Sequence, residues 1–281
     1  VSEFDYLKAM VLGIVQGATE FLPVSSSGHL AIIQDLFALE ADSPQMLLFD
    51  VLAHVGTLVA VFIVFAHSAG RYLRRLLAET SSSWTKRRHA WRIALLGVAA
   101  SVPTAAIGLA FKDFFEGAFG KKWLIALCLI ITGILLSGTL LVRKPKRGWG
   151  QFGIIHAALV GVAQGLAILP GISRSGTTIC VACYIGLRRR WAGEFSFFIA
   201  VPAIIGATAF KIKDTFDLSR EEFASIAWGP TIVGAVVSLI VGVFALRALL
   251  DVVRRAKLHY FALYCWLLGL AILAWWVLEA R

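Results

Sequence analysis

Four ionisable or nucleophilic residues stand in otherwise apolar stretches of this 281-residue chain: Glu20, Ser26, His29 and Arg174. A charge at the centre of a membrane-buried helix costs about 2.5–3.5 kcal/mol, so such residues are functional candidates by default. Ser25, Ser27, Ser173, Ser175, Thr177 and Thr178 crowd the same two places. The set suits phosphoryl transfer. Arg174 can hold phosphate oxygens with a planar fork of donors, and Ser26 offers a hydroxyl nucleophile. His29, three residues further on, can relay protons. Gln16 and Glu20 are four apart, hence on one helical face. Between them they can hold a divalent metal or orient the Ser26 hydroxyl, and a carboxylate beside a phosphate calls for a bridging Mg²⁺. The plainer readings are a structural Glu20–Arg174 pair and, for Ser26, a helix N-cap. The sequence leaves the roles of Asp50, His54 and Glu194 open.

These residues need a scaffold, and the composition says which. Apolar residues make up 59% and charged residues 16%, against about 45–50% and about 25% in ordinary globular domains. That excludes a disordered chain, a disulfide scaffold and a soluble nucleic-acid binder, even at a net charge of +10. The balance predicts an all-α integral membrane protein. Six stretches, about 46–66, 93–111, 123–142, 195–210, 226–249 and 259–278, are long enough or nearly so to cross a hydrocarbon core. The fourth is short and contains Pro202. The N-terminus, with Glu3 and Asp5, does not resemble a signal peptide. Basic residues concentrate in segments 67–92, 143–147, 188–190 and 247–257, which hold 18 of the 27 Lys and Arg. Placing that side in the cytoplasm puts both termini outside. Segments 1–45 and 148–190 must then enter and leave on one face, which predicts two re-entrant helical hairpins. Cys180 and Cys183 lie in an apolar stretch, where small-residue packing outweighs metal chemistry.

An internal repeat points the same way. At an offset of 148, Gly13 meets Gly161, Gln16 meets Gln164, Gly17 meets Gly165, Ser25 meets Ser173, Ser27 meets Ser175 and Gly28 meets Gly176. Apolar bias does not supply matched Gly, Gln and Ser. The chain divides into one repeat over about 1–142 and another over about 148–281, and the orientation makes them inverted, all within one membrane domain. Such repeats place a site where interrupted helices meet near the bilayer midplane. The interruptions run from Leu22-Pro23 to Gly28 and from Pro170-Gly171 to Gly176. Helices over about 28–38 and 177–187 should follow, with their N-termini facing one cavity. Two such ends form an anion site suited to phosphate.

The segments Gln16-Gly17-Ala18-Thr19-Glu20-Phe21-Leu22-Pro23, Ser25-Ser26-Ser27-Gly28-His29 and Pro170-Gly171-Ile172-Ser173-Arg174-Ser175-Gly176-Thr177-Thr178 resemble the signatures of the undecaprenyl-diphosphate phosphatase (bacitracin-resistance) family. The likeness extends to Phe49-Asp50-Val51 with Gly56-Thr57, and to Glu194-Phe195-Ser196-Phe197 with Pro202. It implies hydrolysis of undecaprenyl diphosphate to the monophosphate and inorganic phosphate, which recycles the lipid carrier for cell-wall synthesis. It also implies Mg²⁺ or Ca²⁺ dependence, bacitracin resistance on overproduction, and an inner-membrane protein whose site faces the periplasm or exterior. By the resemblance, Glu20, Ser26, His29 and Arg174 carry the activity. Gln16, Ser25, Ser27, Ser173, Ser175 and Thr178 contact substrate, and Glu20 with Gln16 holds the metal. Gln16 stands where the family accepts Glu or Gln, which weakens any scheme with two carboxylates on the metal. Between Ser26 and His29 as nucleophile, Ser26 is preferred because His29 is then left as acid–base partner. Expected partners are the lipid substrate and the bilayer, with no nucleic acid; a homodimer is left open. The rival reading is a lipid-phosphate flippase or transporter on the same inverted repeat.

Overall fold

A computed structural model describes the backbone of residues 4–41, 43–76, 84–142, 145–216 and 220–279. Of the basic residues counted toward orientation, the side chains of Arg75, Lys86, Arg87, Arg88, Arg143, Lys144, Lys213, Arg220 and Arg281 lie outside what is described. The α-helices of the chain run in the order α1 (Tyr6–Phe21), α2 (Ser26–Leu36), α3 (Pro44–Leu76), α4 (Trp84–Ala110), α5 (Lys112–Phe119), α6 (Lys122–Gly138), α7 (Ile154–Leu166), α8 (Arg174–Tyr184), α9 (Arg189–Phe216), α10 (Arg220–Ser225), α11 (Trp228–Arg254) and α12 (Tyr260–Glu279). Among the described residues the only extended pairing is one isolated bridge between Arg147 and Leu187.

Six of these helices are long and apolar enough to cross a membrane, over Pro44–Arg74, Ala90–Ala110, Lys122–Leu141, Arg189–Ala209, Trp228–Arg254 and Tyr260–Glu279. They match the six expected spans. Two run further than hydropathy alone indicates. At 33 residues, α3 is about 50 Å long against a hydrocarbon core of about 30 Å; its arginine-bearing end continues the helix past the apolar stretch, because Arg and Leu are good helix formers. The fourth span is not cut short either: Pro202 lies inside α9, as Pro103 lies inside α4. Packed neighbours can re-satisfy a backbone group that proline frees. Large apolar side chains such as Val102, Leu109, Phe244 and Leu263 stay exposed on these helices, as a lipid-facing surface requires.

Short helices stand between the long ones. The 16-residue α1 packs along α11, and the 13-residue α7 packs along α4. Small residues set both contacts. A side chain on Gly17 would meet the Ser238 carbonyl oxygen at 2.5 Å, and one on Gly165 would meet Ile107 Cβ at 2.8 Å. Glycines four apart, Gly13 with Gly17 and Gly161 with Gly165, thus let the backbones approach closely, the usual device for membrane helices. Within the fold, Phe21, Phe195, Phe197, Ile179 and Leu246 are buried in the largest apolar cluster. The CxxC pair, Cys180 and Cys183, is buried in the same cluster, its thiols unoxidised.

Candidate active site

Both breaks are built by proline followed by a serine cap. Helix α1 ends at Phe21 and α7 at Leu166, and neither break continues as helix. Ser25 accepts the Gly28 N–H at the start of α2 (3.3 Å), and Ser173 accepts the Gly176 N–H at the start of α8 (3.1 Å). The new helices therefore begin at Ser26 and Arg174, two and three residues earlier than the sequence suggests. The cap is the first serine after the turn, since it is the earliest side chain that can reach the orphan N–H groups. This corrects the plain reading of Ser26: the cap is Ser25, and the Ser26 hydroxyl is released for other work.

The two breaks touch. Ser25 Oγ also accepts the Gly171 N–H at 3.0 Å, and a side chain on Gly28 would meet Gly171 Cα at 3.2 Å. Gly171 has φ +93°, and a side chain there would strike the Ile125 carbonyl and Cys128, so only glycine fits. Ser25 itself sits at φ 70° and ψ 98°, a conformation rare for a residue with Cβ. Its counterpart Ser173 is relaxed at φ −75°. Backbone held this way costs about 1–3 kcal/mol and is typical of functional turns. Here it presents Ser26.

Glu20, buried at the end of α1, is the hub. Its Oε2 accepts from Ser26 Oγ at 2.7 Å and from Gln16 Nε2 at 3.1 Å. Its Oε1 accepts from Arg174 Nη2. Ser26 and Arg174, from different breaks, thus grip opposite oxygens of one carboxylate. Arg174 Nη1 and Gln16 Oε1 are buried with no partner. A spare guanidinium donor and a spare amide acceptor beside a serine hydroxyl are what a bound phosphate, and a cation accompanying it, would use.

His29 lies one turn into α2. Its Nδ1 is 2.7 Å from the Ser25 carbonyl, which can only accept, so Nδ1 carries a proton. In the neutral ring Nε2 then accepts from the Tyr264 hydroxyl at 2.7 Å, and the two rings stack with planes 6° apart. The sequence left His29 as a free acid–base partner. The structure instead gives both ring nitrogens a partner. Tyr264, on α12, was missed by sequence reasoning; the signal available was a phenol hydroxyl inside an apolar span, which must find a partner.

The remaining residues divide. His54, left open by the sequence, approaches: its Nδ1 donates to the Asp50 carbonyl at 2.7 Å, and its Nε2 lies 3.9 Å from Glu20 Oε2. The Asp50 carboxylate does not approach; it bonds Gln34 Nε2 and Lys211 Nζ, each at 3.2 Å. Glu194 pairs with Arg190 at 3.0 Å, in a separate cavity. Ser175 Oγ donates to the Leu22 carbonyl and Ser27 Oγ lies against Ser25 Oγ, both at 3.4 Å. Thr178 Oγ1 is 2.5 Å from Ser196 Oγ on α9 and also donates to the Arg174 carbonyl at 2.9 Å, so it braces α8 from behind Arg174. No group of three or more His, Cys, Asp or Glu forms a metal cage among the described residues. A single carboxylate with a spare amide oxygen does fit a Mg²⁺ that takes its other ligands from water and substrate phosphate.

An all-helical chain with six apolar spans and a buried hydroxyl–carboxylate–guanidinium cluster where two broken helices meet is a multi-pass membrane protein equipped for phosphoryl chemistry. The comparison with known proteins is more specific. A family model described as bacitracin resistance protein BacA matches residues 9–271, and the chain belongs to that family. It is 42% identical over 266 residues to an undecaprenyl-diphosphatase of Carboxydothermus hydrogenoformans, covering 95% of each chain. It is 44% identical to one of Syntrophotalea carbinolica, covering 94% of this chain and 97% of the relative. A third, from Alkaliphilus metalliredigens, is 40% identical over 93% of this chain and 95% of its own.

Proposed function

We propose that this protein hydrolyses undecaprenyl diphosphate to undecaprenyl phosphate and inorganic phosphate in the bacterial inner membrane, returning the lipid carrier to cell-wall synthesis. The family and its similar members support the activity. The observation that carries the mechanism is the shared grip of Ser26 and Arg174 on Glu20.

The diphosphate enters between the N-termini of α2 and α8, whose leading N–H groups favour an anion, while its prenyl tail stays in lipid. Arg174 turns Nη1 to the terminal phosphate. Ser26 Oγ attacks the terminal phosphorus as its proton passes to Glu20 Oε2. The bond to the bridging oxygen breaks, and the lipid monophosphate leaves. Water then attacks the phosphoserine phosphorus, giving up a proton to a nearby base, and releases inorganic phosphate as Ser26 regains its proton. His29 lies one turn from Ser26; to serve as that base its Nε2 must exchange the Tyr264 hydroxyl for the water. A His29 nucleophile would have to break the same bond first, which favours Ser26. Glu20 and Gln16 Oε1 would hold Mg²⁺ or Ca²⁺, which would neutralise phosphate charge when bound.

The architecture in this reading is two inverted repeats with two re-entrant hairpins, α1–α2 and α7–α8. Its support is the correspondence of α2 at Ser26–Leu36 with α8 at Arg174–Tyr184, at the sequence offset of 148, and the matched packing of α1 on α11 and α7 on α4. In that register Ser26 corresponds to Arg174, so one ancestral position has become nucleophile in one repeat and anion clamp in the other. The site opens to the periplasm or exterior, with both termini on that side. A pure flippase would leave the Ser26–Glu20 bond without a task. The test is phosphate release from undecaprenyl diphosphate by purified protein in detergent. Ser26→Ala should fold and bind lipid but release none; near-normal turnover in that variant rejects the mechanism.

A further inference from the structure

A second cavity, of about 220 Å³, opens among α3, α9 and α11, and nothing in the reaction above uses it. It is separated in depth from the active site. His54, which reaches Glu20, lies ten residues before Val64 at the cavity's near edge on α3, and Arg71 lies seven residues further. At 1.5 Å per residue those steps put the cavity about 15–25 Å along the helix from the carboxylate.

Its walls are of two kinds. Arg71, Arg190 and Arg254, one from each helix, line it together, and Val64, Phe65 and Leu250 form its apolar side. Each guanidinium spends little of its donor capacity among the described residues. Arg71 bonds Ser68 Oγ at 3.2 Å, Arg190 bonds Glu194 through Nε at 3.0 Å, and Arg254 reaches Asp251 only at 3.5 Å. Among the described lining residues Glu194 is the one carboxylate, and Asp251 reaches Arg254 from outside the cavity. Arg71 is thus left without a carboxylate partner among the described residues, and the lining itself carries a positive excess. An arginine fork matches phosphate oxygens, and basic pockets between membrane helices bind anionic headgroups. The space, equal to about seven waters at ~30 Å³ each, admits a phosphate with a short polar attachment.

We propose that this cavity is a second phosphate-binding site, distinct from the catalytic one, that seats the phosphate of an anionic membrane lipid with its chain along Val64, Phe65 and Leu250. The proposal does not depend on the phosphatase mechanism. Detergent-purified protein is titrated with phosphatidylglycerol, with phosphatidylcholine and with inorganic phosphate, and retained ligand is read by native mass spectrometry. Wild type should retain phosphatidylglycerol about tenfold better than phosphatidylcholine, and Ser26→Ala should match it. The double variant Arg71→Gln/Arg254→Gln should lose that preference. The control Arg247→Gln/Arg255→Gln removes the same charge from exposed positions near the same end of α11, outside the cavity, and should keep it. Inorganic phosphate should displace the lipid weakly, because it lacks a chain; displacement at equal concentration would make free phosphate the ligand and overturn the lipid assignment. Equal loss in the control, or no preference in wild type, would overturn the site itself.

Discussion

Replacing Glu20 by Gln tests the hub with the smallest change of shape. The carboxylate accepts on both oxygens: Ser26 and Gln16 on one, Arg174 on the other. A carboxamide has one acceptor and one donor end. Whichever way it turns, either Arg174 or the Ser26–Gln16 pair faces an N–H group. Leaving a buried donor without its acceptor costs about 1–3 kcal/mol, more for a charged one, so Glu20→Gln should unfold at lower temperature than wild type. The larger effect falls on turnover. The proton acceptor 2.7 Å from Ser26 Oγ is gone, and a positioned general base contributes about 10²–10⁴ in rate, about 2.7–5.4 kcal/mol on the barrier. Saturating kcat for phosphate release should fall by that factor. Raising Mg²⁺ should not restore it, whereas recovery with metal would reduce Glu20 to a metal ligand alone. Glu20→Asp keeps the charge but withdraws it by one methylene, and should recover part of the loss. A folded Glu20→Gln protein with kcat within tenfold of wild type would refute the assignment of Glu20 as base.

Tyr264→Phe removes the hydroxyl that His29 Nε2 must release before it can take the water's proton; sparing a bond worth about 0.5–1.5 kcal/mol predicts about a 2–12-fold rise in kcat with little change in KM, and no rise in a His29→Ala background. Arg174→Lys cannot bond Glu20 and also present a second planar donor, so phosphate release should drop about 10–100-fold, read as a higher KM together with a lower kcat. Gly171→Ala forces Cβ into a positive-φ position against Ile125 and Cys128, which should cost about 1–3 kcal/mol by thermal unfolding. Gly120→Ala, with nothing within 4 Å, should be neutral in the same assay.

How much of this was legible in the sequence follows from the range of each interaction. Hydropathy is local and additive, so four spans could be placed within a few residues, while α3 and α9 run six to ten residues past the expected 66, 195 and 210; Pro23 and Pro170-Gly171 marked the breaks. The four central residues were visible for the same reason: Glu20, Ser26, His29 and Arg174 are expensive or unexpected where they stand. Only the tertiary structure decided who bonds whom. Arg174 meets Glu20 across 154 residues and Tyr264 meets His29 across 235, separations at which no periodicity speaks. The fold also sorted near-identical neighbours, making Ser25 the strained cap and freeing Ser26, although both are serines in one Ser-Ser-Ser run. It sent the Asp50 side chain to Lys211 and Gln34 while its carbonyl aims His54 at Glu20. A carboxylate's role depends on which donors surround it in space, and that is set only when the helices pack.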